Sequence, residues 1–201
     1  MAGNDCILLV EGPDDKHVVW HLLRRHYEML DFCIFDKGGI DELLDDIGLE
    51  LRVPGRTAVG IVVDANDDLK ARWRAVSDRL REEDIEVPDY PDSNGSIING
   101  SPRIGIWLMP DNVAPGELED FVTQMIPEDD PIWPRSQRYI DDIPEGDRKF
   151  SAKKTQRARI HAWLATREDP RWMGLAIGAG DLRVDGALST TFAEWLRELF
   201  D

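Results

Sequence analysis

The chain has 201 residues, 42% of them hydrophobic and seven of them Trp, so it can bury a sizeable core and is not a disordered protein. Its formal net charge of −16 comes from 40 acidic and 24 basic residues, and a surface this negative repels free nucleic acid. A nucleic-acid enzyme is not excluded, because bound metal ions or a basic partner subunit could neutralise part of that charge.

Nothing in the sequence predicts secretion or a membrane partner. The first apolar run, at 6–10, is short and has no basic lead, and no stretch approaches the roughly 20 apolar residues of a membrane span. Cys6 and Cys33 lie in apolar runs outside any CxxC motif. We expect two buried free thiols in adjacent strands, with a disulfide as the alternative, in a cytoplasmic protein.

Strands and helices alternate in the first half of the chain. The apolar run that ends at Glu11-Gly12-Pro13 predicts a buried central strand. Asp14 is expected to cap the next helix, whose core positions extend to Leu30. The predicted order is strand 6–10, helix 15–30, strand 32–35, helix 40–47, strand 57–63 and a helix from Asp67 or Asp68 to Glu83.

The second half begins with a loop at 88–101, rich in Pro, Asp, Asn, Ser and Gly, that holds a short strand at 96–99. An apolar strand at 103–109 and a helix at 116–126 follow. Residues 127–148 contain several prolines and acidic clusters and are predicted to be irregular. Helices are predicted at 152–166, 172–179 and 190–200, and the spacing of Trp163, Trp172 and Trp195 assigns these side chains to packing.

This alternation predicts an α/β fold with a mainly parallel sheet, helices on both faces and a C-terminal helical extension. We expect an α/β domain over residues 1–126. Residues 127–201 are expected to form the irregular segment and C-terminal helices, packed on the same core.

Acidic side chains directly follow three of the predicted strands. Glu11 follows the first, the segment Asp64-Ala65-Asn66-Asp67-Asp68 follows the third, and Asp111 follows the strand at 103–109. The carboxyl ends of parallel strands share one edge of a sheet, where ligands bind. Mg²⁺ prefers oxygen ligands, and it would relieve the repulsion among clustered carboxylates. We therefore predict a divalent metal site here, and we assign Asp14, Asp15 and Asp67 to helix caps instead.

At these residues the chain resembles the Toprim domain of topoisomerases, bacterial primases, recombination-mediator proteins and OLD-type nucleases. The signature of that domain is a Glu after the first strand and an Asp-x-Asp, often with a third Asp, after a later one. The resemblance covers about residues 5–125. Over nearly its full length the chain is also similar to a family of small standalone Toprim-like proteins of unknown function. The segments that carry this similarity are LLVEGPDD (8–15), KGGIDELL (37–44), GIVVDANDDLKARW (60–73), RIGIWLMPDN (103–112), PGELEDFV (115–122), ARIHAWL (158–164) and TFAEWLRELF (191–200).

The resemblance implies a site for Mg²⁺ (or Mn²⁺) with Glu11 as general base or metal ligand. Asn66 stands where the Toprim triplet has its second Asp, and so offers a carbonyl oxygen without a charge. Comparison with OLD-type nucleases adds a later Glu and a phosphate-binding basic residue. The implied catalytic residues are Glu11, Asp64 and Asp68; the implied metal ligands are Glu11, Asp64, Asn66, Asp68 and Glu119 (or Glu117); and the implied phosphate-binding residues are Lys153 or Lys154.

Three functions remain open. The first is a Mg²⁺-dependent phosphoryl-transfer enzyme, a nuclease that acts on nucleic acid with a partner such as a separate ATPase subunit, in phage defence by analogy with OLD-type systems. The second is a catalytically weak or inactive binding or regulatory subunit on a Toprim scaffold. The third is phosphoryl chemistry on a small nucleotide. A nuclease that works alone should have a basic groove, whereas a binding subunit should have an apolar patch. A homo-oligomer is compatible with each of the three functions.

Other motifs have simpler interpretations. His17 and His21 have the spacing of a zinc-binding helix, but no third ligand is evident, so we assign them to a helix face. Gly38-Gly39 is interpreted as a strand-to-helix turn rather than a phosphate loop. The basic stretch 149–159 is either a phosphate-facing strip or the exposed side of a helix.

Overall fold

The computed structural model describes residues 5–26 and 31–201. Five strands form one sheet in the order β2-β1-β3-β5-β4, in which every neighbouring pair is parallel except β4 and β5. The predicted α/β fold with a mainly parallel sheet is therefore confirmed. The strands are β1 (Cys6–Val10), β2 (Cys33–Asp36), β3 (Ala58–Asp64), β4 (Ser96–Ile98) and β5 (Arg103–Met109).

Eight α-helices occupy the described part of the chain: α1 (Pro13–His26), α2 (Ile40–Leu51), α3 (Leu69–Arg81), α4 (Leu118–Thr123), α5 (Trp133–Asp141), α6 (Thr155–Leu164), α7 (Met173–Ala179) and α8 (Ala187–Phe200). The first helix begins at Pro13 rather than after Asp14, because a proline at the first helical position loses no intrahelical hydrogen bond. Its predicted extension to Leu30 lies outside the described residues.

One expectation for residues 127–148 is wrong, because α5 lies within this segment. Pro134 stands in the first turn of α5, where a proline needs no backbone N–H partner. Prolines in this segment therefore mark the start of a helix as well as loops.

Helices cover both faces of the sheet, as predicted. Side chains alternate between the two faces along each strand. Ile7 and Leu9 of β1 pack with α2 and α3, whereas Leu8 and Val10 pack with α1, α4 and the C-terminal helices. Most of the helical mass thus lies on one face.

The C-terminal helices belong to the core on the face of the sheet that carries Leu8 and Val10. Phe192 and Trp195 of α8 contact Trp107 of β5, with ring centroids 4.9 and 5.6 Å apart. Gly105 lets α8 approach the sheet, because a Cβ there would lie 2.5 Å from a methyl carbon of Leu199. Trp172 is 58% exposed, so its assignment to packing is wrong.

Cys6 and Cys33 lie on adjacent strands, as expected, and neither forms a disulfide, although both are only half-buried. Within residues 5–26 and 31–201, no helix is long and apolar enough to cross a membrane.

Candidate functional site

Glu11 and Asp64 meet at the carboxyl edge of the sheet. β1 and β3 are neighbours, with Val10 opposite Val62, so the residues that follow them lie side by side. Glu11 Oε1 accepts a hydrogen bond from the backbone N–H of Asp64 at 2.8 Å. The structure therefore brings together two of the carboxylates that the strand-end pattern singled out, whereas Asp111 accepts from the backbone N–H groups of Val113 and Ala114.

The Asp64 carboxylate is held by the start of α4. Its Oδ1 accepts from the backbone N–H of Leu118 at 2.8 Å, and Arg72 Nε donates to the Asp64 carbonyl oxygen at 2.8 Å. Burial and the nearby charges of Asp15 and Glu11 raise the pKa of Asp64 to about 9. At neutral pH the isolated site thus favours a proton, or a cation, on Asp64.

Asp15 is a site residue that the sequence interpretation assigned to a helix cap. Its Oδ2 does accept from the backbone N–H of Gly12 at 3.1 Å, as a first-turn carboxylate does. Its Oδ1, however, is buried and has no hydrogen-bond partner among the described residues. Burial and then the charge of Glu11 raise the pKa of Asp15 to about 7. The sequence feature that could have identified Asp15 as a site residue is its position about one helical turn after Glu11, which can bring both side chains to the carboxyl edge of the sheet.

Glu117 and Glu119 complete the group from the start of α4. Glu119 is 4% exposed, and burial raises its pKa. The backbone N–H of Glu117 donates to Asp120 at 2.8 Å, which fixes the first turn of α4. We call the five residues that act on one another here the acidic cluster: Glu11, Asp15, Asp64, Glu117 and Glu119.

Three basic side chains contact the acidic cluster. Lys154 Nζ lies 2.9 Å from both oxygens of Glu117, Arg157 Nε lies 3.3 Å from Glu119, and the charge of Arg72 acts on Glu11. Five carboxyl groups against three cations leave an excess of two negative charges when all are ionised. A divalent cation would balance that excess. Burial is the largest cause of the raised pKa values of Glu11, Asp15, Asp64 and Glu119, and repulsion between neighbouring carboxylates adds to it.

Asn66 joins the loops that carry the cluster. It pairs with Gly116 through two backbone hydrogen bonds of 2.8 Å. With its amide oriented to satisfy both groups, the side chain donates to Glu117 at 3.1 Å and accepts from Arg72 at 3.0 Å. Asn66 therefore lies at the site, where it bridges an acid and a base.

Asp68 and Asp67 have other roles in the structure. Asp68 is exposed and is the N-cap of α3, where its Oδ1 accepts from the Ala71 N–H at 2.9 Å. It is not among the carboxylates with the largest effect on Asp64. Asp67 is exposed and forms an ion pair with Lys153. The catalytic role of Asp68 stays a prediction, and its cap role competes with it.

Lys153 and Lys154 lie beside the site, in a single 3-10 turn, Ala152–Lys154, just before α6. Of the basic stretch 149–159, Lys154 and Arg157 contact the acidic cluster and Lys153 contacts Asp67, whereas Arg159 pairs with Asp141 of α5. Lys153 and Arg159 also line a cleft of about 310 Å³ next to Asn66 and Gly116.

The donor set fits a hard cation, although it is not a finished cage. Within the described ranges, no three His, Cys, Asp or Glu side chains are arranged so that they could hold a metal ion as they stand. Mg²⁺ commonly takes one or two carboxylates and keeps several waters, so it needs no such cage. The unpartnered Oδ1 of Asp15, beside the half-buried carboxyls of Glu11 and Asp64, offers that kind of oxygen site.

His17 and His21 instead face a neighbouring helix. A Cβ on Gly174 of α7 would lie 2.6 Å from the His17 carbonyl oxygen, and one on Gly178 would lie 2.7 Å from the His21 ring. These two glycines let α7 pack closely on α1. His17 is exposed and His21 is half-buried, which agrees with the assignment of the pair to a helix face.

A family model with the description "protein of unknown function (DUF3226)" matches residues 5–201. No curated protein and no solved structure gives a significant match to the chain.

Proposed function

Since the chain belongs to the DUF3226 family, whose description assigns no activity, we propose a function from the site itself: Mg²⁺-dependent phosphoryl transfer, as a nuclease acting on nucleic acid. The observation that carries the proposal is the acidic cluster, with two more negative charges than its basic contacts balance. The resemblance to Toprim domains, which rests on Glu11 and the Asp64–Asp68 segment, supports the same chemistry.

We assign Glu11, Asp15 and Asp64 to the cation. Bound Mg²⁺ would supply charge stabilisation for a phosphoryl group and activation of water. Asp64 is oriented for this role because its carboxylate accepts from the Leu118 N–H and its carbonyl oxygen accepts from Arg72 Nε. Glu11 has one oxygen engaged by the Asp64 N–H, and burial raises its pKa above the ordinary value of a Glu, which suits a carboxyl group that exchanges a proton.

Lys154 and Arg157 are assigned to the phosphate groups of the substrate. In the described structure they neutralise Glu117 and Glu119, respectively. A cation in the cluster would take over that neutralisation and free the two basic side chains for a phosphodiester. Lys153, paired with the exposed Asp67, lies next to them and can serve the same purpose.

The resemblance alone supports a partner. A separate ATPase subunit that brings the nucleic acid, and a role in phage defence, follow from the likeness to OLD-type systems. Mn²⁺ is the alternative cation, because it accepts the same oxygen donors.

The test is calorimetric titration of Mg²⁺ and of Mn²⁺ into the wild type, Asp64→Asn and Asp41→Asn. Asp41 is an exposed acid in the first turn of α2 and serves as the matched control. We expect binding to the wild type and the control and none to Asp64→Asn. Labelled single- and double-stranded DNA and RNA are then incubated with each metal. Metal binding without cleavage would reject the nuclease activity and support the metal site. No binding at millimolar metal would reject both the metal site and the nuclease activity.

A specific observation favours the second candidate, a binding or regulatory subunit. Trp20, Trp172 and Leu175 are each about half exposed, at 45%, 58% and 46%. Trp20 and Leu175 line a groove of about 690 Å³ between α1 and α7. Exposed apolar side chains of this size are typical of protein contacts. If Asp64→Asn bound a partner protein as tightly as the wild type and neither cleaved nucleic acid, this candidate would be preferred.

A further inference from the structure

A groove of about 460 Å³ runs along α3, between this helix and the loop that carries Tyr90. α3 has five basic residues and one acidic residue in thirteen, in a chain whose net charge is −16. Lys70, Arg74 and Arg81 line the groove together with Ser77. Their spacing of three and four residues places them along a single stripe of the helix.

These cations are available to a ligand. Among the described residues, Lys70 and Arg74 form no ion pair, and both are exposed. Arg81 pairs with Asp78 at 3.0 Å, but both side chains are largely exposed, so that pair is weak. Asp89 also lines the groove and opposes part of the charge. Counting Asp89 and the Asp78 that pairs with Arg81, the three basic side chains leave one excess positive charge at the groove.

Tyr90 adds an exposed aromatic face at the same place, because its side chain is 70% exposed. The loop that carries it is anchored on both sides. Trp73 Nε1 donates to the Pro88 carbonyl oxygen at 3.1 Å, and the Asp92 N–H donates to Ser96 Oγ at 2.9 Å. An exposed aromatic ring on an anchored loop beside a row of cations is the composition of single-strand nucleic-acid sites.

The groove begins near the acidic cluster. α3 starts directly after the loop that carries Asp64 and Asn66, and Lys70 stands in its first turn. From Lys70 to Arg81 the helix rises about 16 Å. A strand bound along the groove would therefore have one end close to the carboxyl edge of the sheet.

We propose that this groove binds single-stranded nucleic acid, with phosphates at Lys70, Arg74 and Arg81 and a base stacked on Tyr90. The proposal rests on the proposed function, because it identifies the groove as the path by which a substrate strand reaches the acidic cluster. A single strand is favoured over a duplex because only an unpaired, splayed base offers its face to a protein aromatic ring. The local charge also explains how a chain of −16 can bind a polyanion.

The test is fluorescence anisotropy of a labelled oligonucleotide with Asp64→Asn protein in EDTA, so that no cleavage interferes. Lys70→Ala/Arg74→Ala is expected to weaken binding at least about tenfold. It should also lower the slope of log affinity against log salt by about 1.4, since each phosphate contact on a single strand contributes about 0.7. Tyr90→Ala should weaken binding at least about fivefold, whereas Tyr90→Phe should retain it.

Matched controls lie on α5, where Arg135, Arg138 and Tyr139 are exposed on a helix outside the groove. Arg135→Ala/Arg138→Ala and Tyr139→Ala should leave the affinity unchanged. Equal losses in the α3 and α5 variants, or tighter binding of the duplex than of the single strand, would overturn the proposal. Binding is measured here without catalysis. If the groove binds the oligonucleotide but the protein never cleaves nucleic acid, only the nuclease proposal is rejected. Cleavage that is unaffected by the α3 substitutions removes only the groove.

Discussion

Glu11 accepts a 2.8 Å hydrogen bond from the backbone N–H of Asp64, across 53 positions of sequence. The bond fixes one carboxylate of the acidic cluster against the strand end that carries another. It stabilises the ionised form of Glu11, yet burial outweighs it and the pKa of Glu11 is raised. The site is thus held in place at the cost of burying carboxyl groups that also repel one another.

This cost of burial and repulsion predicts that Asp64→Asn stabilises the metal-free protein. The pKa of Asp64 is about 9 in the folded chain against an ordinary value of 3.8. The stability that a protonated Asp64 contributes is complete below pH 3.8 and is lost as pH rises towards 9. At pH 8 in EDTA, thermal melts of Asp64→Asn should therefore show a free energy of unfolding at least about 1 kcal/mol higher than that of the wild type. This is a conservative figure, because a shift of one pKa unit already corresponds to about 1.4 kcal/mol. Equal stability at pH 8 would mean that Asp64 ionises without cost.

Metal binding is predicted to release protons. Asp15 and Asp64, with pKa values of about 7 and about 9, are largely protonated at pH 6.5 and must ionise to hold a cation. Apparent Mg²⁺ affinity should therefore rise between pH 6.5 and pH 8.5. Titrations in two buffers with different heats of ionisation measure the protons released. A pH-independent affinity with no proton release would contradict the assignment of these carboxylates to the metal.

Asp15→Asn tests the residue that the sequence interpretation assigned to a cap. The amide oxygen can still accept from the Gly12 N–H, so the start of α1 should remain intact. Losing the charge beside Glu11 and Asp64 should weaken Mg²⁺ binding about tenfold or more and lower any nuclease rate. Asp41→Asn, in the first turn of α2, is the control. An Asp15→Asn protein that binds Mg²⁺ like the wild type would limit Asp15 to its cap role.

Lys154→Met should change metal binding and catalysis in opposite directions. Lys154 neutralises Glu117 at 2.9 Å, so its removal makes the cluster more negative and should tighten Mg²⁺ binding several-fold. The same variant should lose about 100-fold in nuclease rate, because a cation near the phosphoryl group is missing. Calorimetry and initial rates give the two results. Lys149→Met, an exposed position on the same segment, should change neither, and weaker metal binding in Lys154→Met would contradict this account.

Gly116→Ala is predicted to disturb the junction between the loops of the site. Gly116 has φ of 153° and pairs with Asn66, and a Cβ there would lie 2.8 Å from Pro110 and 2.9 Å from Asp120. We expect a loss of about 1–3 kcal/mol in chemical denaturation. Gly146→Ala adds a Cβ that meets no atom within 4 Å and should be nearly neutral. A neutral Gly116→Ala would show that the junction tolerates a side chain.

The sequence predicted an element correctly where a single clear pattern, such as a continuous apolar run, indicated it. Apolar runs at 6–10, 57–63 and 103–109 identified the central strands, because strands buried on both faces must be apolar throughout. It failed at 133–141, where prolines suggested a loop although Pro134 stands in the first turn of α5. It also failed at Trp172, because helical spacing does not reveal whether another element covers a face.

By itself, the sequence determined that Glu11 and Asp64 each follow a strand of a mainly parallel sheet, since strand-end position follows from local pattern. That the two strands are neighbours is a result of the tertiary structure. Only the tertiary structure decided which other charges join Glu11 and Asp64. The buried oxygen of Asp15, the contacts of Lys154 and Arg157, and the cap role of Asp68 depend on how α4 and the start of α6 pack over the sheet edge. Burial and proximity set the energy of a carboxylate, and neither is a property of its place in the chain.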